Sequence, residues 1–267
     1  MAERRHASGA FSRVVAVLTV GFLVLPLLVV IPISFGHSSL MSFPPQQYSL
    51  RWYEALAADP SWLGAALTSI RLGVTVALIS TVLATITAIG IFRYQGPGKA
   101  AMQALILSPL VVPVIVIGVA LYYLFSMLGM TGSMTALVCA HTLLTFPYGV
   151  VVVNSALERF DTRLEQAAMS MGAGPFATLW RVTLPIISPS IAVSAVFAFL
   201  ISFDEVVMAL LLSGPETLTV PKKMWDGIRF DLTPVIAAVS AVLLVFSSVL
   251  VAVAEILRRR SQGKNQR

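Results

Sequence analysis

Two adjacent carboxylates, Asp204 and Glu205, stand in an otherwise apolar stretch, near its outer third. A charged side chain at mid-bilayer costs about 2.5–3.5 kcal/mol on insertion scales, so the pair must meet water, a cation or a partner group. On one continuous helix, neighbouring residues point about 100° apart. Glu205 then continues a line through Ser194, Ala198, Ser202 and Ala209, small and weakly polar, which suits a pore or a close helix contact. Asp204 continues through the greasier Phe197, Leu200, Met208 and Leu211. The pair has two uses: transient binding of a cationic solute in passage, or structural pairing with an arginine elsewhere in the bundle. Tyr122, Tyr123 and Trp225 could offer aromatic faces to an ammonium group, or serve as anchors at the membrane interface. His141, alone in an apolar run, reads as a helix–helix hydrogen-bonding residue rather than a proton relay.

Other chemistries lack the residues they need. No His/Asp/Cys constellation suits a metal, and no nucleophile has an arranged base. Gly96-Pro97-Gly98-Lys99 is followed by Ala100 and lacks the spacing of a phosphate-cradling loop. The chain is therefore not expected to be an enzyme or to hold a cofactor or metal, and any ATP hydrolysis belongs to another chain. The single Cys139 excludes a disulfide framework and a cysteine metal site.

The elements that position these residues are membrane spans. With 57% hydrophobic and 11% charged residues, the chain falls far below the roughly 25% charge of soluble domains. Six apolar runs reach the roughly 20 residues that a helix needs to cross a bilayer, at about 14–35, 66–92, 100–128, 134–157, 187–212 and 232–257. Gly129-Met130-Thr131-Gly132-Ser133 divides the uncharged stretch 100–157 into two of them. Continuous apolarity, without alternation, excludes barrel strands. The expected fold is an all-α integral-membrane domain over 1–267. The first run exceeds a signal-peptide core and lacks a small-x-small cleavage site, so it reads as an uncleaved helix.

Charge gives the orientation. Both termini and the 93–99 and 156–186 loops share one side, with thirteen of the eighteen Lys and Arg residues; Arg51, Arg71, Lys222, Lys223 and Arg229 lie on the other. That imbalance makes the first side cytoplasmic. The net charge of +6 then reflects topology and contact with anionic membrane lipids rather than nucleic-acid binding. Trp52, Tyr53, Trp62 and the 213–231 segment become outer docking surfaces. Pro109, Pro113 and Pro147 are expected to bend their helices.

Between the fourth and fifth runs lies a polar hairpin, 158–186. Leu157, Phe160, Leu164, Ala168 and Met171 recur at three- and four-residue steps and predict one apolar stripe on a short helix. Gly172 sits where a helix end favours a left-handed residue, and Gly174-Pro175 starts a new helix. Phe176, Leu179, Trp180 and Thr183 are expected on one side of that helix, before Pro185 interrupts it.

The wording of this hairpin resembles the E-A-A-x3-G-x9-I-x-L-P signature of permease subunits of binding-protein-dependent ABC importers. Aligned on Gly172, the two alanines are Ala167 and Ala168 and the closing pair is Leu184-Pro185. The family glutamate falls on Gln166, with Glu165 one place earlier, and the isoleucine falls on Val182. Phe43-Pro44-Pro45, Tyr48 to Tyr53, Pro109 to Pro113, Ser202 to Val207, Gly214-Pro215 and Pro221 to Trp225 are similar to the spermidine/putrescine branch.

The resemblance implies a six-helix, type I importer permease in the bacterial inner membrane. Glu165, Gln166, Ala167, Ala168, Gly172, Leu184 and Pro185 would couple it to an ATPase, and Asp204, Glu205, Tyr122 and Trp225 would line the solute path. It further implies a second permease subunit, in a heterodimer, two cytoplasmic ATPase copies that bind ATP and Mg, and an extracytoplasmic binding protein. The implied cargo is a polyamine; the alternatives are another amine, an amino-acid derivative, an iron complex or a phosphonate. A proton-coupled secondary transporter using Glu205 or His141 is the rival of another class.

Overall fold

The computed structural model describes residues 2–39, 41–230 and 233–264. Side chains of 2–12, 254 and 257–264 are outside that description, and with them Arg4, Arg5, Arg258, Arg259, Arg260 and Lys264 of the orientation argument, as is Arg267. Twelve α-helices are present among the described residues: α1 (Ala2–Ser34), α2 (Arg51–Ala58), α3 (Pro60–Arg93), α4 (Lys99–Leu107), α5 (Val114–Met127), α6 (Met134–Leu157), α7 (Arg163–Ser170), α8 (Pro175–Thr178), α9 (Leu184–Asp204), α10 (Val207–Leu212), α11 (Val220–Phe230) and α12 (Val235–Lys264). The chain divides into two compact units, Met1–Trp62 with Asp226–Ser248, and Leu63–Trp225 with Val249–Arg267.

Among the described residues, five helical stretches are long and apolar enough to cross a membrane: Arg13–Ser34, Pro60–Arg93, Met134–Leu157, Pro175–Asp204 and Val235–Val253. A sixth crossing exists only if Lys99–Leu110 and Val114–Met127 are taken together, and these two are bent by 92°. The third span expected over 100–128 is thus broken rather than continuous, at the segment where Pro109 and Pro113 were expected to bend it. Its cause is local: a 3-10 turn at Ser108–Leu110 precedes Pro113, which has no N–H to continue a helical ladder.

In the larger unit, α6 is the central rod. Toward one end, Leu137, Ala140 and Leu144 pack with Leu72 and Val76 of α3, Phe125 of α5, and Met208 and Leu212 of α10. Toward the other end, Val150, Val153 and Leu157 pack with Ala84, Ala88 and Ile91 of α3 and Ile187 of α9. Small residues permit close approach between these helices, as expected where lipid supplies no hydrophobic drive for association. A Cβ on Gly149 would lie 2.7 Å from Ala84 Cβ and 2.9 Å from Ser194 Oγ. His141 Nδ1 is 3.0 Å from Ser202 Oγ. The two pairs, 141 with 202 and 149 with 194, fix an antiparallel register of α6 on α9. The line Ser194, Ala198, Ser202 is consequently buried, a helix contact rather than a pore lining.

In the smaller unit, the loop after α1 is fastened to the start of α2. Trp52 Nε1 donates to Gly36 O at 2.7 Å, and Ser34 Oγ and Tyr53 OH are 2.7 Å apart. Trp52 and Tyr53, expected on a docking surface, are half-buried and hold this loop in place.

Candidate functional site

The hairpin begins where α6 ends at Leu157. Asp161 Oδ1 accepts from Arg163 N at 3.0 Å, a local turn that competes with continued helix, and α7 starts at Arg163. The predicted single stripe is therefore corrected. Leu157, Phe160 and Ala168 are buried, whereas Leu164 and Met171 are exposed, because the turn at 158–162 separates two helices.

The far end of α7 matches its predicted chemistry. Gly172 has φ +91°, where an L side chain is strained. Its N–H donates to Met169 O at 2.9 Å, and Ala173 N–H donates to Ala168 O at 3.1 Å. This paired pattern is the Schellman helix stop, which satisfies carbonyls that would otherwise be orphaned. A Cβ at Gly172 would meet nothing within 4 Å, so the glycine answers to backbone geometry rather than to packing.

After the turn, α8 does not stop at Pro185. It passes through a π-helical stretch, Leu179–Thr183, into α9. Leu184 N–H donates back to Leu179 O, and the wider turn accommodates the missing N–H of Pro185, as π-bulges do inside otherwise regular helices. The second half of the hairpin is thereby the base of the fifth span itself. The π-turn also shifts the side-chain phase: Thr183 is buried while Phe176 and Trp180 are exposed, their rings 6.1 Å apart. Leu184 packs partly buried against the inner core cluster, and Pro185 is exposed.

Glu165 and Gln166 face different ways. Glu165 Oε1 is 2.8 Å from Arg93 Nη2 at the end of α3, and Thr183 Oγ1 donates to the same oxygen. Gln166 and Ala167 are exposed. From the sequence, Arg93 counts only toward orientation and Thr183 only toward one side of the second hairpin helix; neither is expected at the site. The available signal was that Arg93 is the basic residue closing an apolar span, but its partner lies 72 residues away.

The acidic pair lies at a break in the fifth span. Asp204 is the last residue of α9, Glu205 turns extended, and α10 begins at Val207. Glu205 Oε1 accepts from Val207 N at 2.7 Å and Met208 N at 3.1 Å, capping α10 as an N-terminal acceptor does. The expectation that Glu205 prolongs a continuous helical line to Ala209 is corrected, because the helix is interrupted at Glu205. Asp204 is exposed and makes no hydrogen bond or ion pair among the described residues, so neither acid pairs with an arginine. Tyr122 and Trp225 are each nearly half exposed. Tyr122 meets Tyr123 edge to face, with ring centroids 6.0 Å apart. No ring or ion-pair contact among the described residues joins Tyr122 or Trp225 to the acids. Nor do three metal-ligating side chains come together among the described residues.

The segment that follows α10 is clamped. Gly132 N–H donates to Leu212 O at 2.9 Å, Thr217 Oγ1 donates to Gly132 O at 3.0 Å, and Val220 N–H donates to the buried Ser69 Oγ at 2.9 Å. A side chain on Gly214 would press its Cβ to 3.0 Å from Gly132 Cα. These contacts tie the segment after α10 to the α5–α6 turn and to α3.

Residues 80–263 match the family of binding-protein-dependent transport system inner membrane components. The chain is 31% identical over 238 residues to the spermidine/putrescine transport system permease protein PotC of Escherichia coli (strain K12), covering 89% of this chain and 90% of that protein. It is also 31% identical to the putrescine transport system permease protein PotI of the same organism, covering 86% and 84%. A crystal structure of a bacterial alginate ABC transporter, in complex with alginate pentasaccharide-bound periplasmic protein, aligns with TM-score 0.71 and 17% identity over 97% of this chain and 96% of that one; that likeness concerns the fold alone. An all-α fold with multiple apolar spans agrees with the family description. The chain belongs to the inner membrane components of binding-protein-dependent transport systems, a membrane transport subunit and not an enzyme.

Proposed function

We propose that this chain is one of the membrane-spanning subunits of an importer that carries a polyamine such as putrescine or spermidine into the cytoplasm. Energy comes from ATP and Mg bound by two copies of a separate cytoplasmic ATPase. A second, non-identical permease subunit completes the pathway, and an extracytoplasmic binding protein delivers the solute. Both termini and the hairpin lie in the cytoplasm, in keeping with the excess of Lys and Arg on that side.

The observation that carries the reading is the hairpin's construction. It stops on a left-handed glycine, exposes Leu164, Met171, Phe176 and Trp180, and runs into the fifth span without a helical break. A protein seated on such a surface has mechanical purchase on a transmembrane helix. The polyamine assignment is supported by the similarity to the two polyamine permeases and by Asp204, a carboxylate without a partner in an apolar region, suited to a passing ammonium group.

The test is reconstitution. The importer, purified through a tag on this chain, is placed in proteoliposomes loaded with ATP and supplied outside with binding protein and labelled putrescine. Accumulation that requires both ATP and the binding protein supports the proposal. Uptake by this chain alone, or uptake driven by a pH gradient without ATP, overturns it.

A further inference from the structure

One carboxylate oxygen joins three distant parts of the larger unit. Glu165 lies in the first turn of α7, Arg93 closes α3, and Thr183 ends the π-turn at the base of α9. Arg93 Nη2 reaches Glu165 Oε1 at 2.8 Å, with the two side chains 40% and 16% exposed, and Thr183, itself 2% exposed, donates to the same oxygen. Two donors on one largely buried carboxylate oxygen make a directional, charge-assisted joint. An exposed lysine–carboxylate pair would be worth little. The hairpin reaches the fifth span through continuous helix, and this joint connects it to the second span as well. Gln166, the next residue, points to solvent.

From this geometry we infer that Arg93 and Thr183 are positioning residues that hold Glu165 inward. Hairpin and the inner ends of the second and fifth spans then move as one body when the ATPase closes. Glu165 acts within the chain, and Gln166 is the polar group presented to the ATPase. This inference rests on the proposed importer function.

The experiment uses the complete importer in proteoliposomes and reads the stimulation of ATP hydrolysis by loaded binding protein, together with putrescine taken up per ATP hydrolysed. Arg93→Gln, Glu165→Gln and Thr183→Val should each lower the stimulation about fivefold, within the ordinary range of coupling between sites. Arg93→Lys, which keeps the charge, should restore most of it. The double variant Arg93→Gln/Glu165→Gln should be no worse than either single one, because the residues act as a unit. The amount of ATPase copurifying should stay constant in all variants. Two results overturn the inference while leaving the importer reading intact: wild-type stimulation in every variant, or loss of copurifying ATPase with Glu165→Gln but not with Arg93→Gln. A wild-type complex whose ATP hydrolysis ignores the binding protein overturns both.

Discussion

The hairpin and the break in the fifth span solve the same problem with different outcomes. Each contains two adjacent polar residues beside apolar helix: Glu165-Gln166 in one, Asp204-Glu205 in the other. In the hairpin the first residue is consumed by the fold, through Arg93 and Thr183, and the second faces out. At the break the order reverses: Glu205 caps α10, and Asp204 is left exposed without a partner. In α7 adjacent positions point about 100° apart, and at the break the backbone turns extended at Glu205, so one residue of each pair can serve the structure while the other faces away. An acidic pair in an apolar span is thus two residues with separate tasks, and the free one, Asp204, is the better candidate for contact with a cation.

Five substitutions test the difference between these two regions. The largest effect is expected from Gly172→Pro. Proline holds φ near −65° and has no N–H, whereas Gly172 sits at +91° and donates to Met169 O. ATP-driven uptake should fall more than about tenfold, on the scale of site-to-site coupling, with the chain still present in the membrane fraction; unchanged uptake would remove the hairpin from the mechanism. Next, Asp204→Asn should slow putrescine uptake several-fold more than Glu205→Gln, because glutamine keeps an acceptor oxygen for the α10 cap. The reverse ranking in initial rates would assign the solute contact to Glu205.

Packing predictions are smaller. Gly149→Ala places a methyl 2.7 Å from Ala84 Cβ and 2.9 Å from Ser194 Oγ, and overpacking of this kind costs about 1–3 kcal/mol. Thermal unfolding in detergent should register it, and an unshifted midpoint would contradict the α3–α6–α9 contact. Ser202→Ala removes the partner of His141 Nδ1. The expected loss is about 0.6 kcal/mol, typical of interhelical hydrogen bonds in membranes, and a far larger loss would mean that His141 does more than join α6 to α9.

Much of this was legible in the chain because it is written in short-range chemistry. Apolar length predicts the spans, and Gly172 followed by Gly174-Pro175 predicts a stop and a restart, both as found. What could not be read depends on geometry that periodicity does not encode. Pro185 signals a helix end, yet a π-turn absorbs it, so the hairpin and the fifth span are one rod. Glu205 lies in an apolar run that looks continuous, and only its side chain folding back onto Val207 and Met208 marks a new helix start. Pro109 and Pro113 signal a bend in the third span, but not that it reaches 92° and divides the span into two helices. Arg93 is visible as a span boundary, but its joint with Glu165 is a tertiary fact.

The central claim is that the hairpin docks on a cytoplasmic ATPase with Gln166 outward and Glu165 inward. In a Cys139→Ser background, single cysteines replace Gln166, Glu165 or Ala167, and the assembled importer is treated with a short thiol-to-amine cross-linker. Cross-links to the ATPase are expected from cysteine at 166 and 167 and none from cysteine at 165. A cross-link from position 165 alone, or cross-links from this segment to the extracytoplasmic binding protein, would contradict it.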